Sequence, residues 1–142
     1  KDSLDSLEHL RRRIEVVKAI NPEFSVLTGS DGYLLTLLEM GGDGSVPATA
    51  NIDPRRHVAV FEAFENGDYE SALDRLPELL GLLDIYRVNG SFHSVIKEAM
   101  AMAGVAPVSG ARQPALPLTA ESRARLREIL ARADLLPATS QS

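Results

Sequence analysis

Two short apolar segments separated by a helical pattern place the strongest constraint on the fold of this 142-residue chain. The first segment runs from Phe24 to Thr28 and the second from Ser45 to Ala50. Apolar residues recur at helical spacing over about residues 6–20, before the first segment, and over about 32–40, between the two. Strands that alternate with helices are typical of parallel βα units. The sequence therefore predicts an α/β fold.

From residue 53 onward the pattern is only helical. Asp53 is a typical N-cap, and Pro54 follows it at the first helical position. The pattern predicts further helices over about 53–65, 68–88, 91–103 and 119–134, with a kink at Pro77 and an irregular stretch from Val105 to Pro117. Two strands do not form a stable parallel sheet alone, because both faces and both edges need cover. The front of the chain is therefore predicted to belong to a larger sheet.

The first two helices carry start signals. Asp5 is followed three residues later by Glu8, which is the spacing of a capping box. We therefore expect Asp5 to be the N-cap of the first helix. Asp31 lies where the second helix begins, so we expect its side chain to accept hydrogen bonds from amide groups there.

Charge and composition exclude several classes of function. The net charge of -5 argues against a nucleic-acid partner, because phosphate binding depends on clustered Lys and Arg. The absence of cysteine excludes disulfides, zinc–thiolate sites and a thiol nucleophile. No apolar stretch approaches the roughly 20 residues that cross a membrane, so we expect a cytoplasmic protein without a membrane partner. His9, His57 and His93 lack a second ligand at metal or triad spacing, so we expect neither role for them.

Three segments together resemble the dihydrodipicolinate synthase / N-acetylneuraminate lyase family of class I (Schiff-base) aldolases. The first is Lys1-Asp-Ser-Leu-Asp-Ser-Leu, similar to the family's Lys-Asp-Ser-x-Gly-Asp-Leu at the end of barrel strand six. The second is Thr28-Gly-Ser-Asp31, similar to the family's Ser-Gly-x-Asp turn after strand seven. The third, from Gly41 to Asn51, is similar to the Gly-x-x-Gly-x-(Ile/Val)-x-x-x-x-Asn run along strand eight.

The resemblance implies that the chain is the C-terminal part of a (β/α)8 TIM barrel and supplies strands 6–8, followed by a C-terminal helical layer. Residues 1–52 would be the last βα units of the barrel, residues 53–136 the C-terminal helices of the same enzyme, and residues 137–142 a frayed tail. Active sites of such barrels lie at the C-terminal ends of the strands. Because most of the barrel strands are not in the chain, we expect these residues alone to be inactive.

The chemistry implied by the resemblance is covalent catalysis by Lys1. A neutral lysine amine attacks the ketone of a 2-oxo acid such as pyruvate and loses water, and the resulting iminium is an electron sink. This lysine imine requires no metal and no other cofactor. By the same resemblance, Gly29 and the backbone around Val46 line the pyruvate pocket. Ser30 and Asp31 lie where the family recognises the second substrate.

Departures from the family pattern narrow the choice of substrate. Sialic acid lyases carry an acidic residue after the aspartate and a serine late in strand eight, where this chain has Gly32 and Ala48. The pattern is closer to aldolases and dehydratases of 2-keto-3-deoxy sugar acids or 4-hydroxy-2-oxoglutarate. The alternatives are a dihydrodipicolinate synthase that condenses pyruvate with aspartate semialdehyde, a catalytically dead binding or regulatory relative, and a stand-alone helical interaction module. The resemblance also implies a homotetramer.

Overall fold

The computed structural model describes residues 1–107 and 109–138. Its contacts divide the chain into two compact units, the first formed by Lys1–Ala50 and Pro54–Leu80. The second unit contains Asn51–Asp53 and the described residues from Gly81 onward. The assignment of residues 1–52, 53–136 and 137–142 to parts of an enzyme stays a prediction, and residues 139–142 of the predicted tail lie outside the described residues.

Three parallel segments lie side by side in the first unit. Strand β1 (Leu27–Thr28) pairs with strand β2 (Gly44–Ser45), with Leu27 opposite Gly44 and Thr28 opposite Ser45. Asp2 forms an isolated parallel bridge with Thr28. The Asp2 amide donates to the Leu27 carbonyl at 2.8 Å, whereas the Val46 amide donates to the Thr28 carbonyl at 2.8 Å. Successive carbonyls of a strand point to opposite sides, so β1 lies between Asp2 and β2. The predicted parallel arrangement is confirmed.

Both strands are shorter than the apolar segments that predicted them. The second strand was expected over residues 45–50, but β2 ends at Ser45, and Thr49–Asn51 forms a 3₁₀ turn instead. Pro47 has no amide hydrogen to donate to a neighbouring strand, which accounts for the early end of the ladder.

The four helices of the first unit follow the predicted order. They are α1 (Leu7–Ile20), α2 (Leu34–Glu39), α3 (Pro54–Glu65) and α4 (Tyr69–Leu80). The predicted N-cap of α1 was wrong by one residue, because the cap is Ser6, whose Oγ accepts from the His9 amide at 3.3 Å. Asp5 instead accepts a hydrogen bond from Ser30 Oγ at 3.3 Å.

Helix α2 contributes to both hydrophobic clusters of the first unit. One cluster joins α1 to α2 through Leu10, Ile14 and Leu37, together with Val26 from the segment before β1. The other joins α2, α3 and α4 through Leu34, Leu35, Leu38, Val60, Ala63 and Ala72. A helix that is apolar on nearly all sides must be covered on several sides, as the sequence predicted for this segment.

The second unit is helical. A 3₁₀ helix (Gly81–Arg87) precedes α5 (Phe92–Met102) and α6 (Ala120–Arg132). The single helix predicted over residues 68–88 is therefore wrong at its end: α4 stops at Leu80, where Gly81 lowers helix propensity, and the chain continues as the 3₁₀ helix. The predicted start of α6 is confirmed, because Thr119 Oγ1 accepts from the Ser122 amide at 3.1 Å. Within the described ranges, no helix is both long enough and apolar enough to span a membrane.

Candidate active site

Lys1 and Gly29 come together at the carboxyl ends of neighbouring parallel segments. A Cβ atom built on Gly29 would lie 2.7 Å from Lys1 Cε, 2.6 Å from Ser3 Oγ and 3.2 Å from the Asp2 carbonyl oxygen. Any side chain at position 29 would therefore displace the Lys1 side chain, since two carbon atoms do not approach so closely. The glycine of the second motif therefore leaves the lysine of the first motif free to lie against it.

The backbone of Asp2 fixes this approach. The Gly29 amide donates to the Asp2 carbonyl at 2.6 Å, immediately next to Lys1 in the chain. The Asp2 side chain accepts from the Leu4 amide through Oδ1 at 2.8 Å. These bonds tie the turn after β1 to the segment that carries the lysine.

The buried carboxylate of Asp2 is neutralised from helix α1. Its Oδ2 atom lies 2.6 Å from Arg13 Nε and 3.2 Å from His9 Nε2, and the Asp2 side chain is only 6% exposed. Arg13 Nε also donates to His9 Nε2 at 2.7 Å, so the guanidinium joins Asp2 to His9 and supplies the positive charge that compensates Asp2. No aligned hydrogen bond reaches Oδ2, so the contact with Arg13 is electrostatic.

Ser30 and Val46 occupy the same end of the sheet. The Ser30 amide donates to Thr28 Oγ1 at 3.0 Å, which holds the turn in place. Beyond the pair Thr28–Ser45, the next residues of the two strands are Gly29 and Val46. The Val46 side chain is 47% exposed. The carboxyl ends of parallel strands meet at one edge of a sheet, so the predicted site residues Lys1, Gly29, Ser30 and Val46 share that edge.

Asp5 connects the site to a tyrosine. Its carboxylate accepts the Ser30 hydroxyl hydrogen and is also hydrogen-bonded to the Tyr33 hydroxyl. Hydrogen bonding to Asp5, together with burial, raises the pKa of Tyr33 above its usual value. The Tyr33 phenol therefore remains protonated and acts as a donor at neutral pH.

The structure places Asp31 with Thr49 and His57, to which the sequence motifs assigned no role. Asp31 is 2% exposed, and its Oδ1 atom accepts from the Thr49 amide at 3.2 Å and from the Thr49 hydroxyl. His57 Nε2 lies 3.2 Å from Thr49 Oγ1 and 3.4 Å from Asp31 Oδ1. The predicted cap role of Asp31 was wrong: among the described residues, no side chain caps the start of α2 or of the 3₁₀ turn before it, and Asp31 accepts instead from an amide in the loop after β2. Its predicted contact with a second substrate stays a prediction.

Sequence reasoning missed Thr49 and His57 because their shared partner is remote in the chain. Asp31 and Thr49 are separated by 18 residues, and Thr49 and His57 by 8. The only available signal was the spacing of His57 and the apolar Val60, which are three residues apart and therefore share a face of α3. In the part of the chain that the structure describes, no cluster of three or more His, Asp or Glu side chains is arranged to hold a metal ion.

Comparison with known proteins identifies the family. The model of the dihydrodipicolinate synthetase family matches residues 1–133, and the chain therefore belongs to this family. The predicted resemblance is confirmed.

Relatives from Escherichia coli K12 are similar over nearly the whole chain. One is the probable 2-dehydro-3-deoxy-D-pentonate aldolase YjhH, 35% identical over 137 residues that cover 96% of this chain and 46% of the relative. Another is the putative 2-dehydro-3-deoxy-D-gluconate aldolase YagE, 36% identical over 130 residues that cover 92% of this chain and 43% of the relative. The chain thus spans about half the length of the curated relatives it matches.

Solved structures agree in fold. The crystal structure of YagE from E. coli K12 in complex with pyruvate has a TM-score of 0.89 and 36% identity, covering 95% of this chain and 45% of that one. Dihydrodipicolinate synthase from Aquifex aeolicus has a TM-score of 0.81 and 27% identity, covering 97% of this chain and 46% of that one. The helix-rich α/β fold is therefore shared with enzymes of this family.

Proposed function

We propose that this chain supplies the lysine nucleophile and part of the pyruvate pocket of a Schiff-base-forming carbon–carbon lyase. In this proposal Asp2, β1 and β2 mark strands six, seven and eight of a (β/α)8 barrel, and the later helices form its C-terminal layer. The observation that carries the proposal is the approach of Lys1 Cε to Gly29 at the carboxyl ends of parallel strands. That end of a barrel is where catalytic residues are found.

The proposed reaction proceeds through an imine on Lys1. The neutral Nζ attacks the ketone carbon of a 2-oxo acid, and the carbonyl oxygen leaves as water after two proton transfers. The hydroxyl on the fourth carbon then gives up its proton to a base and becomes the carbonyl of the released aldehyde. The bond between the third and fourth carbons breaks, and its electron pair moves toward the iminium nitrogen and leaves an enamine. Protonation of the enamine and hydrolysis release pyruvate and restore Lys1. The opposite direction forms the same bond.

Gly29 and the backbone around Val46 border the pyruvate moiety in this proposal. Glycine leaves the space beside residue 29 to the Lys1 side chain, because a Cβ atom there would lie 2.7 Å from Lys1 Cε. Ser30 presents a hydroxyl, oriented by Asp5 at 3.3 Å, to the hydroxyl groups of the part of the substrate that leaves as aldehyde.

We propose a 2-keto-3-deoxy sugar acid as the substrate class. YjhH and YagE are named as 2-dehydro-3-deoxy-D-pentonate and 2-dehydro-3-deoxy-D-gluconate aldolases, and YagE has been crystallised with pyruvate. Condensation of pyruvate with aspartate semialdehyde is the runner-up, supported by the Aquifex aeolicus synthase at 27% identity against 36% for YagE. We further propose that the protein acts in the cytoplasm and forms a homotetramer, as the resemblance to the family implies.

Reductive trapping tests the proposal. A protein containing the complete barrel is incubated with pyruvate and sodium borohydride, and the modified peptide is located by mass spectrometry. We expect one reduced pyruvate on Lys1, and none in Lys1→Arg. Lys18→Arg and Lys97→Arg serve as matched controls, because these are the other lysines of the chain, and both should still be modified at Lys1. Trapping at another lysine, or none in the wild type, would refute the proposal.

A further inference from the structure

Three polar side chains that take no part in the proposed chemistry form a buried network in the first unit. Asp31, Thr49 and His57 are respectively 2%, 0% and 6% exposed. Burying a carboxylate is costly unless hydrogen bonds compensate it. Hydrogen bonds from Thr49, and not water, therefore compensate the buried Asp31 carboxylate.

Donor accounting gives the network a direction. A carboxylate only accepts, so the single hydroxyl hydrogen of Thr49 goes to Asp31 Oδ1, its nearest partner. The Thr49 oxygen then faces His57 Nε2 with a lone pair, at 3.2 Å, and the imidazole must donate. Hydrogen bonds therefore run from His57 to Thr49 to Asp31. Thr49 thus donates to the turn after β1, and His57 donates to Thr49.

The network lies at the opposite end of that turn from Lys1. Asp31 is two residues beyond Gly29, whose amide is bonded to the Asp2 carbonyl at 2.6 Å. At one end, therefore, the turn is attached to the segment of the lysine. At the other end it is attached to Thr49, after β2, and to His57 of α3.

We propose that Asp31, Thr49 and His57 are positioning residues that hold Gly29 against Lys1. In this role Asp31 anchors the turn after β1 to the loop after β2 and does not contact a second substrate. The effect on catalysis rests on the proposed function. Displacement of a reacting group by about 1 Å lowers rates by up to about 100-fold. Loss of the network should therefore slow the first step, formation of the pyruvate imine, in which no second substrate takes part.

Paired variants in a protein containing the complete barrel separate the two roles of Asp31. Thr49→Val and His57→Met remove the donors, whereas Thr49→Ser and His57→Gln keep them. We expect the rate of borohydride-trappable imine formation with pyruvate to fall about 10- to 100-fold in the first pair and to stay within about threefold of wild type in the second. Thr36→Val makes the same chemical change on α2, outside the network, and should leave the rate unchanged.

A contact between Asp31 and the second substrate predicts a different pattern. Asp31→Asn would then raise the KM for the aldehyde without slowing the pyruvate imine, and Thr49→Val would be silent in both assays. That result would overturn the inference.

Amide hydrogen exchange tests the inference independently of activity. Exchange of the Gly29 amide, measured by NMR, should become about tenfold or more faster in Thr49→Val and His57→Met than in Thr49→Ser and His57→Gln. Equal rates in the folded variants would overturn the inference even if wild type traps pyruvate. If wild type traps no pyruvate, the proposed function fails, and the exchange rates alone decide the positioning role. If a donor-removing variant does not fold, exchange of the Gly29 amide in Asp31→Asn is compared with exchange in wild type. Equal rates would again overturn the inference.

Discussion

A Cβ atom at Gly29 would lie only 2.7 Å from Lys1 Cε, so any side chain at this position requires the Lys1 side chain to move. Residues of two motifs, 28 positions apart in the sequence, thus form one contact. The contact lies at the edge of the sheet where the carboxyl ends of the strands meet. Whether residue 29 can carry a side chain therefore depends on where the Lys1 side chain lies.

Gly29→Ala should impair the lysine without unfolding the protein. The added methyl group requires the flexible side chains of Lys1 and Ser3 to move, whereas the Asp2 carbonyl at 3.2 Å is merely tight. We expect the rate of imine trapping with pyruvate to fall about 10- to 100-fold. Gly81→Ala is the control, because nothing lies within 4 Å of a Cβ there, and it should trap pyruvate at the wild-type rate. Equal rates for the two variants would contradict the prediction.

Asp43→Asn should destabilise the first unit. Asp43 accepts from Lys18 Nζ through Oδ1 at 2.7 Å and from the Val26 amide through Oδ2 at 2.7 Å, so it joins α1 to the segment before β1. Hydrogen bonds to a charged group contribute about 1.5–3 kcal/mol each, and partial exposure reduces that value here. We expect a loss of about 1–2 kcal/mol in the free energy of unfolding, measured with urea.

The control for this change is an exposed ion pair. Glu128→Gln removes the charge facing Arg125 on α6, where both side chains are more than half exposed. We expect a change within about 0.5 kcal/mol. A loss for Glu128→Gln as large as that for Asp43→Asn would contradict the prediction.

The contribution of Asp43 should also disappear in acid. Burial by itself raises the pKa of Asp43, but hydrogen bonds from Lys18 and the Val26 amide outweigh it and lower the pKa below the usual value of 3.8. A carboxyl with a lowered folded-state pKa stabilises the protein above its unfolded-state pKa, and this stabilisation is lost as the pH falls through the folded-state value. The stability difference between wild type and Asp43→Asn should be constant above about pH 5 and shrink below about pH 4. A difference that does not change with pH would disprove the assignment.

Asp5→Asn should lower the pKa of Tyr33. The hydrogen bond to Asp5, burial and the negative charge of Asp5 all raise this pKa above the usual value of 10.0. We expect the Tyr33 pKa to fall toward that value when the charge is removed, as followed by NMR of the tyrosine ring during a pH titration. The pKa of Tyr69 is raised by Glu39 and should not respond to Asp5→Asn. Conversely, Glu39→Gln should lower the pKa of Tyr69 and leave the pKa of Tyr33 unchanged.

Local sequence signals predicted the helices well. Capping residues at the helix ends and the apolar spacing between them placed α1, α3 and α6 within a few residues, because caps and helical periodicity act over one or two turns. The strand ends were less predictable. An apolar run marks burial, but the number of residues that pair depends on neighbouring strands.

The end of the long predicted helix shows the same limit. Gly81 is a weak signal on its own, since glycine is tolerated inside helices at a cost of about 1 kcal/mol. The change from α4 to the 3₁₀ helix Gly81–Arg87 occurs where the chain passes from the first unit to the second. Packing within each unit, which periodicity does not reveal, decides that boundary.

The sequence by itself determined the family, because contiguous motifs carry the resemblance, and the parallel pairing of the strands, because strands and helices alternate. It also predicted Lys1, Gly29, Ser30, Asp31 and Val46 as site residues. Only the tertiary structure decided that Asp31 faces Thr49 and His57, and that Arg13 compensates Asp2. A hydrogen bond needs its partners at about 3 Å, whatever their separation in the chain. The fold alone brings such residues to that distance.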